Sequence, residues 1–153
     1  MRVQFLLCLF FGLLTPVAVS AFEVSSTVSI QPYETVEVTY DPSDTLVQLG
    51  ELRGYPVMYT FTLDESVAFQ ARLLQQYRSL DLEPVPFSLI VVEENGGNEA
   101  EVGRLGLVEK INWQPRKYRQ LGLRFLESQA YQSVLEPGTY HIEVSTPTND
   151  GYY

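Results

Sequence analysis

The segment VMYTFTL, Val57 to Leu63, decides the fold class. Val57, Tyr59, Phe61 and Leu63 fall on one face of an extended chain, while Thr60 and Thr62 point the other way. Every one of these residue types suits a pleated, half-buried surface, so the segment is predicted to be a strand. Working outward, the same period of two dominates from Phe22 onward, with turn residues at fairly regular spacing and little helical pattern. That combination is the signature of an all-β sandwich or barrel of short strands, and an antiparallel β-sandwich of about eight strands is expected.

Upstream, ETVEVTY, Glu34 to Tyr40, alternates Val36, Val38 and Tyr40 with Thr35, Glu37 and Thr39 before meeting Asp41-Pro42. It reads as one half-buried strand. Thr45 to Leu49 reads as a short strand and Gly50 to Gly54 as a polar turn. Downstream, Ser66 to Tyr77 (SVAFQARLLQQY) fits either period. Val67, Phe69, Ala71 and Leu73 share a strand face, whereas Phe69, Leu73 and Tyr77 share a helical one. Ala, Arg, Leu and Gln suit a helix, but Asp64-Glu65 resembles a tight turn returning the chain antiparallel to its predecessor, which favours the strand.

Ser79 to Pro86 carries two prolines and reads as a crossover loop. PFSLIVVEE, Pro86 to Glu94, is apolar on nearly both faces and belongs near the middle of a sheet. Asn95-Gly96-Gly97-Asn98 tolerates positive φ and predicts a hairpin into Glu101 to Val108. It is no phosphate cradle: neither GxGxxG nor GxxxxGK[ST] is met, and Glu93, Glu94 and Glu99 would repel a phosphate. Leu121 to Leu126 resumes period two with Leu121, Leu123 and Phe125 predicted inward, and Tyr131 to Leu135 reads as a further short strand or bend.

The most specific pattern is LEPGTYHIEVS, Leu135 to Ser145. Pro137 and Gly138 suit a turn, with Gly138 free to take positive φ. Tyr140, Ile142 and Val144 are then predicted to face the core, leaving Thr139, His141, Glu143 and Ser145 outside. This resembles the L-x-P-G-T-Y-x-I-x-V hairpin of bacterial pre-peptidase carboxyl-terminal domains and similar secreted jelly-roll sandwiches. With YTFTL and FSLIVVEE in comparable order, the resemblance covers about Tyr55 to Tyr153; Phe22 to Gly54 lies outside it. It implies a jelly-roll topology and a non-catalytic, accessory or binding role in an exported protein, often beside a hydrolase, with no catalytic residues to carry over. Asn149-Asp150-Gly151 then signals a reversal with only Tyr152 and Tyr153 after it. They read as the start of a missing partner for Thr139 to Ser145, whose open edge would invite aggregation. The domain is therefore expected to lack its last strand, or to have that edge completed by another segment or chain.

The first residues, MRVQFLLCLFFGLLTPVAVSA, carry one charge, Arg2, then the apolar run Val3 to Leu14, a break at Pro16, and small residues at Val19-Ser20-Ala21. This is the order of a secretory signal peptide, and the apolar run of about a dozen residues is short of the roughly 20 needed to span a bilayer. Residues 1–21 are therefore expected to be removed, the alternative being a retained signal anchor, and 22–153 to form a single domain outside the cytoplasm, in the medium, the periplasm or at the cell surface. No membrane span is expected in that mature part. Cys8, the only cysteine, falls in the removed segment, so the fold cannot rely on disulfides. Loss of Arg2 takes the net charge from −9 to −10. That acidity argues against a nucleic-acid partner, which needs a clustered basic face.

Catalytic patterns are scarce. His141 is the only histidine, GxSxG is absent, and the mature part has no thiol, so no enzyme activity, cofactor or metal is expected. His141 with Glu143 shares a strand face but reads as a solvated pair. Carboxylates such as Asp41 with Asp44, or Glu93 with Glu94, suit glycosidase chemistry only at separations the sequence does not show. DPSD lacks the spacing of a calcium loop. The candidate ligand surface is the loop that holds the only tryptophan: Trp113 and Tyr118, with Arg116, Lys117 and Arg119, could stack on a sugar or grip an acidic polymer or peptide. The partner would then be a protein or a glycan. The alternative is a buried Trp113 anchoring a crossover loop amid solvated basic residues. The expected function is an exported, non-catalytic binding, accessory or structural module; the alternative is a secreted carbohydrate-binding or carbohydrate-active jelly roll using Trp113.

Overall fold

The computed structural model describes residues 22–27, 32, 34–77, 83–106, 110–119 and 121–152. The expected signal peptide, residues 1–21, lies outside them. The described residues form strands with no helix, an all-β architecture of several sheets that agrees with a β-sandwich. Among the described residues thirteen strands occur, in chain order: β1 (Phe22–Thr27), β2 (Thr35–Glu37), β3 (Thr45–Arg53), β4 (Val57–Leu63), β5 (Val67–Ala71), β6 (Leu74–Gln76), β7 (Ser88–Asn95), β8 (Asn98–Leu105), β9 (Gln114–Tyr118), β10 (Leu123–Glu127), β11 (Tyr131–Leu135), β12 (Gly138–Ser145) and β13 (Asp150–Tyr152). They exceed the expected eight because Ser66 to Tyr77 divides into β5 and β6 and because β1, β9 and β13 form where no complete strand is predicted.

The largest sheet has the order β2-β4-β12-β7-β8. Its middle is built as the alternation predicts: Val57, Tyr59, Phe61 and Leu63 of β4 are buried, as are Tyr140 and Val144 of β12, and Leu89 and Val91 of β7. Strand β2 runs parallel to β4, and Val36, Val38 and Tyr40 pack against the core even though the ladder stops at Glu37. The β7–β8 hairpin turns at Gly96 and Gly97, with φ of 59° and 84°, as the Asn-Gly-Gly-Asn signal requires. Gly138 does not take the expected positive φ; it opens β12 opposite Leu63.

The opposing layer consists of two bent strands and β9. β5 pairs with β11, and β6 pairs with β10, whose other edge takes β9. Between the paired pieces, the Leu73 amide donates to Ser128 Oγ at 2.9 Å and the Ser128 amide donates to Leu73 O at 2.9 Å. Thus the β5–β6 and β10–β11 segments bend together without losing contact. The strand reading of Ser66 to Tyr77 holds, with Val67, Phe69 and Leu73 buried. The Asp64-Glu65 turn does not return β5 alongside β4, however; β5 is paired to β11, so the turn is a corner between layers. The layers meet through rings: Phe61 of β4 stacks on Phe69 of β5 at 5.5 Å, and Phe61 also stacks on Tyr140 of β12 at 5.7 Å. Aromatic pairs of this kind add roughly 1 kcal/mol each to their area burial.

A third sheet has the order β1-β3-β13. Here the predicted turn at Gly50 to Gly54 is corrected: Gly50 to Arg53 continue β3, and Leu52 is buried in the main core. The reversal begins at Gly54, where φ is 85°. Strand β3 runs through this polar stretch because β1 pairs with it in parallel up to Gly50 and β13 in antiparallel fashion from Glu51 to Arg53. Strand β12 lies between β4 and β7, so both its edges are paired and the open edge expected there does not exist. Asp150 to Tyr152 pair with β3 instead. Leu123, predicted inward, is 46% exposed.

Candidate functional site

The five residues singled out in the sequence are distributed by strand alternation. Across the β9–β10 ladder Arg116 stands opposite Phe125, Lys117 opposite Arg124, and Tyr118 opposite Leu123. Directly opposed residues share a face, so Arg116 and Tyr118 lie on one side of β9 and Lys117 on the other. Trp113, just before β9, packs against the core cluster and is only partly exposed. Arg119 sits in the exposed turn that follows, where its carbonyl accepts from the Gly122 amide at 3.3 Å. The cationic cluster and the two aromatic rings therefore do not form one platform.

Arg116 and Tyr118 instead join a different group. Glu127 of β10 takes Arg72 at 3.2 Å and Arg116 at 3.4 Å, so one carboxylate is shared by two guanidinium groups. The Tyr118 ring meets Phe125 edge-on at 5.7 Å, and burial, followed by the nearby Glu127 charge, pushes its hydroxyl pKa up. Phe125 is buried yet stands outside the main core cluster, as does Val47 of β3.

Tyr118 and Arg72 form part of the rim of a groove of about 640 Å³. The chain makes it by swinging from β2 to β3 through Asp41-Pro42-Ser43-Asp44. The Ser43 amide and hydroxyl both donate to Asp41 Oδ1, at 2.8 and 2.6 Å, and the Asp44 amide donates to Asp41 O at 3.1 Å. This is a self-contained turn of the kind Asp makes with its own backbone. It carries residues 38–48 past β5 and β6, leaving space between that segment and the sheets. Tyr40, Phe61 and Phe69 line the interior as a mutually touching trio, with Tyr40 at 5.4 Å from Phe61 and 5.6 Å from Phe69. Asp41 and Asp44 line the mouth.

The electrostatics of that mouth follow from its bonds. The Ser43 hydroxyl and then the Ser43 amide hold the Asp41 carboxyl below the usual carboxylate range, so it is ionised at neutral pH. Burial, and then the Asp41 charge, raises the Tyr40 hydroxyl, which stays protonated and neutral. The Arg72 guanidinium at the rim is matched by Glu127.

Of the five sequence candidates only Tyr118 lines this groove; Trp113, Arg116, Lys117 and Arg119 do not. Nothing local announces it, because residues near positions 40, 70 and 118 meet only through the fold. Its one sequence trace is the aromatic-acidic run Tyr40-Asp41-Pro42-Ser43-Asp44, which resembles an ordinary turn.

His141 finds its partner across the sheet. Its Nε2 lies 3.2 Å from Glu94 Oε2, whereas Nδ1 is buried without a hydrogen-bond partner. Among the described residues no three His, Cys, Asp or Glu side chains stand close enough to hold a metal ion, and no helix is long and apolar enough to cross a membrane. Comparison of the chain with protein-family models, with curated proteins and with solved structures finds no match.

Proposed function

We propose that this protein is an exported, non-catalytic binding module, a β-sandwich of jelly-roll type similar to bacterial pre-peptidase carboxyl-terminal domains, which holds its ligand in the groove behind Tyr40. The leader-like residues 1–21 support export, and the acidic balance disfavours nucleic acid. The single observation that carries the binding role is the groove itself. Its volume of about 640 Å³ and its combination of aromatic interior with a few polar groups at the mouth are those of a small-molecule site. The sugar-platform reading of Trp113 has less support, since its ring packs against the core.

Amide chemical shifts of isotope-labelled Phe22 to Tyr153, followed during titration with a library of small polar and apolar compounds and glycans, test the assignment. Perturbations are expected to gather at Tyr40, Phe69, Arg72 and Tyr118. Perturbations confined to Trp113, Lys117 and Arg119 would transfer the site to the β9 surface, and an absence of any binding would leave a structural role. Expression with the native leader is expected to yield a product beginning at Phe22 outside the cytoplasm; an uncleaved cytoplasmic product would overturn export.

A further inference from the structure

Building on the binding role proposed for this groove, we infer that its ligand is an organic cation with an apolar body, the positive head at Asp41 and Asp44 and the body against Tyr40, Phe61 and Phe69. The charges at the mouth set the preference. Asp41 keeps its negative charge while accepting from Ser43, and Asp44 follows in the same turn. Arg72, the only cationic residue lining the groove among the described residues, has Glu127 at 3.2 Å, and Glu127 also engages Arg116. An anionic ligand would meet two carboxylates and find the Arg72 guanidinium engaged. A cation meets both carboxylates and a neutral phenol, because Tyr40 is held protonated beside Asp41.

The interior selects the body of the same molecule. Tyr40, Phe61 and Phe69 present a ring-lined apolar wall, which suits an apolar chain running inward from the mouth. The exported domain adds long-range attraction, since its net charge of −10, the full chain's −9 without Arg2, raises the local concentration of any cation around it. Chemistry, size and field thus converge on amines with an aromatic or alkyl body, whether free small molecules or the lysine side chain of a peptide.

The test compares three probes with one body and different heads: 4-phenylbutylamine, 4-phenylbutanol and 4-phenylbutyrate, titrated into the domain at low salt by calorimetry. The amine is expected to bind at least tenfold more tightly than the alcohol, and the butyrate not at all. The double variant Asp41→Asn, Asp44→Asn keeps an oxygen acceptor for Ser43 and removes both charges. It is expected to reduce amine affinity about tenfold, to that of the alcohol, and to leave alcohol affinity unchanged. Raising the salt concentration should weaken the amine alone. Equal binding of all three probes would overturn the cation preference and leave the groove as a binding site. Binding of none would overturn both the preference and the groove. An acetylated-lysine peptide set beside its unmodified form separates the two sources, since only a lysine-binding groove distinguishes them.

Discussion

Tyr140 joins two roles in one side chain. It is 2% exposed, its ring stacks on Phe61, and its hydroxyl donates to Glu136 O at 2.9 Å, tying β12 back to the turn that introduces it. Burial raises its pKa first, with the Glu93 charge adding to it. Neutral phenol is therefore favoured in the folded state. A raised folded pKa gives a contribution that is complete below the unfolded tyrosine value of about 10 and is lost as pH rises through the folded value. Tyr40 and Tyr118 are shifted in the same direction. Urea midpoints are thus expected to fall steeply above pH about 10. Tyr140→Phe should lose about 1 kcal/mol at neutral pH, through the missing hydrogen bond, and show a shallower alkaline decline. Parallel pH curves for the two proteins would refute this account. Trp113 is the second test at this scale. With its indole partly exposed but packed on the core, Trp113→Ala should cost about 2–4 kcal/mol and iodide should quench its fluorescence only partly. An unchanged melting temperature with full quenching would restore the platform reading. Residue types alone left those two readings of Trp113 open, because a large ring with a polar edge suits a core and a ligand equally.

At the scale of elements, the legible parts are those whose signal is local. Strand β4, the β7–β8 hairpin and β12 follow directly from alternation and turn residues, and β4, β7 and β12 have the expected buried face. What could not be read is pairing at a distance. Gly50 and Glu51 have turn-like composition, yet β1 and β13 hold them in β3 from opposite sides. Asp64-Glu65 reads as a hairpin turn but is a corner, since the identity of the β5 partner lies in β11, more than sixty positions away. Leu123 alternates correctly with Phe125, but that face lies outside the main core, so its end is exposed. Ser128 was invisible for the same reason: its worth comes from Leu73, in the distant break between β5 and β6. It is 4% exposed and returns both hydrogen bonds that the interrupted ladder leaves at Leu73. Ser128→Ala leaves the Leu73 amide buried without its acceptor and should cost about 1–3 kcal/mol. Hydrogen exchange at the Leu73 amide should accelerate ahead of that at β4 and β12. Uniform acceleration would show that the bend has no independent stability.

For the whole molecule, β3 is where the ends of the described chain meet. Phe22 to Thr27 pair along its first part, and Asp150 to Tyr152 along its last. The route from β12 to β13 is fixed by Asn149, whose φ is 51° and whose carbonyl accepts from the Gly54 amide at 2.8 Å. Asn is among the few residues other than glycine that adopt this conformation readily, and its Oδ1 also accepts from the Thr146 amide at 3.2 Å. The third sheet is thus clipped to the sandwich at this corner, while Leu52 inserts into the common core. Cooperativity between the third sheet and the sandwich should depend on that clip. Removing residues 150–153 strips the partner from Glu51, Leu52 and Arg53 and leaves that edge of β3 open. The expected result is fast amide exchange at 51–53 and a lowered melting temperature, with protection retained in β4, β12 and β7, which lose no ladder partner. The groove should respond as well, because Thr45 to Gln48 of the same strand form part of its wall. Loss of protection throughout the sandwich would show one indivisible cooperative unit, and unchanged exchange at 51–53 would show that β13 contributes nothing to holding β3.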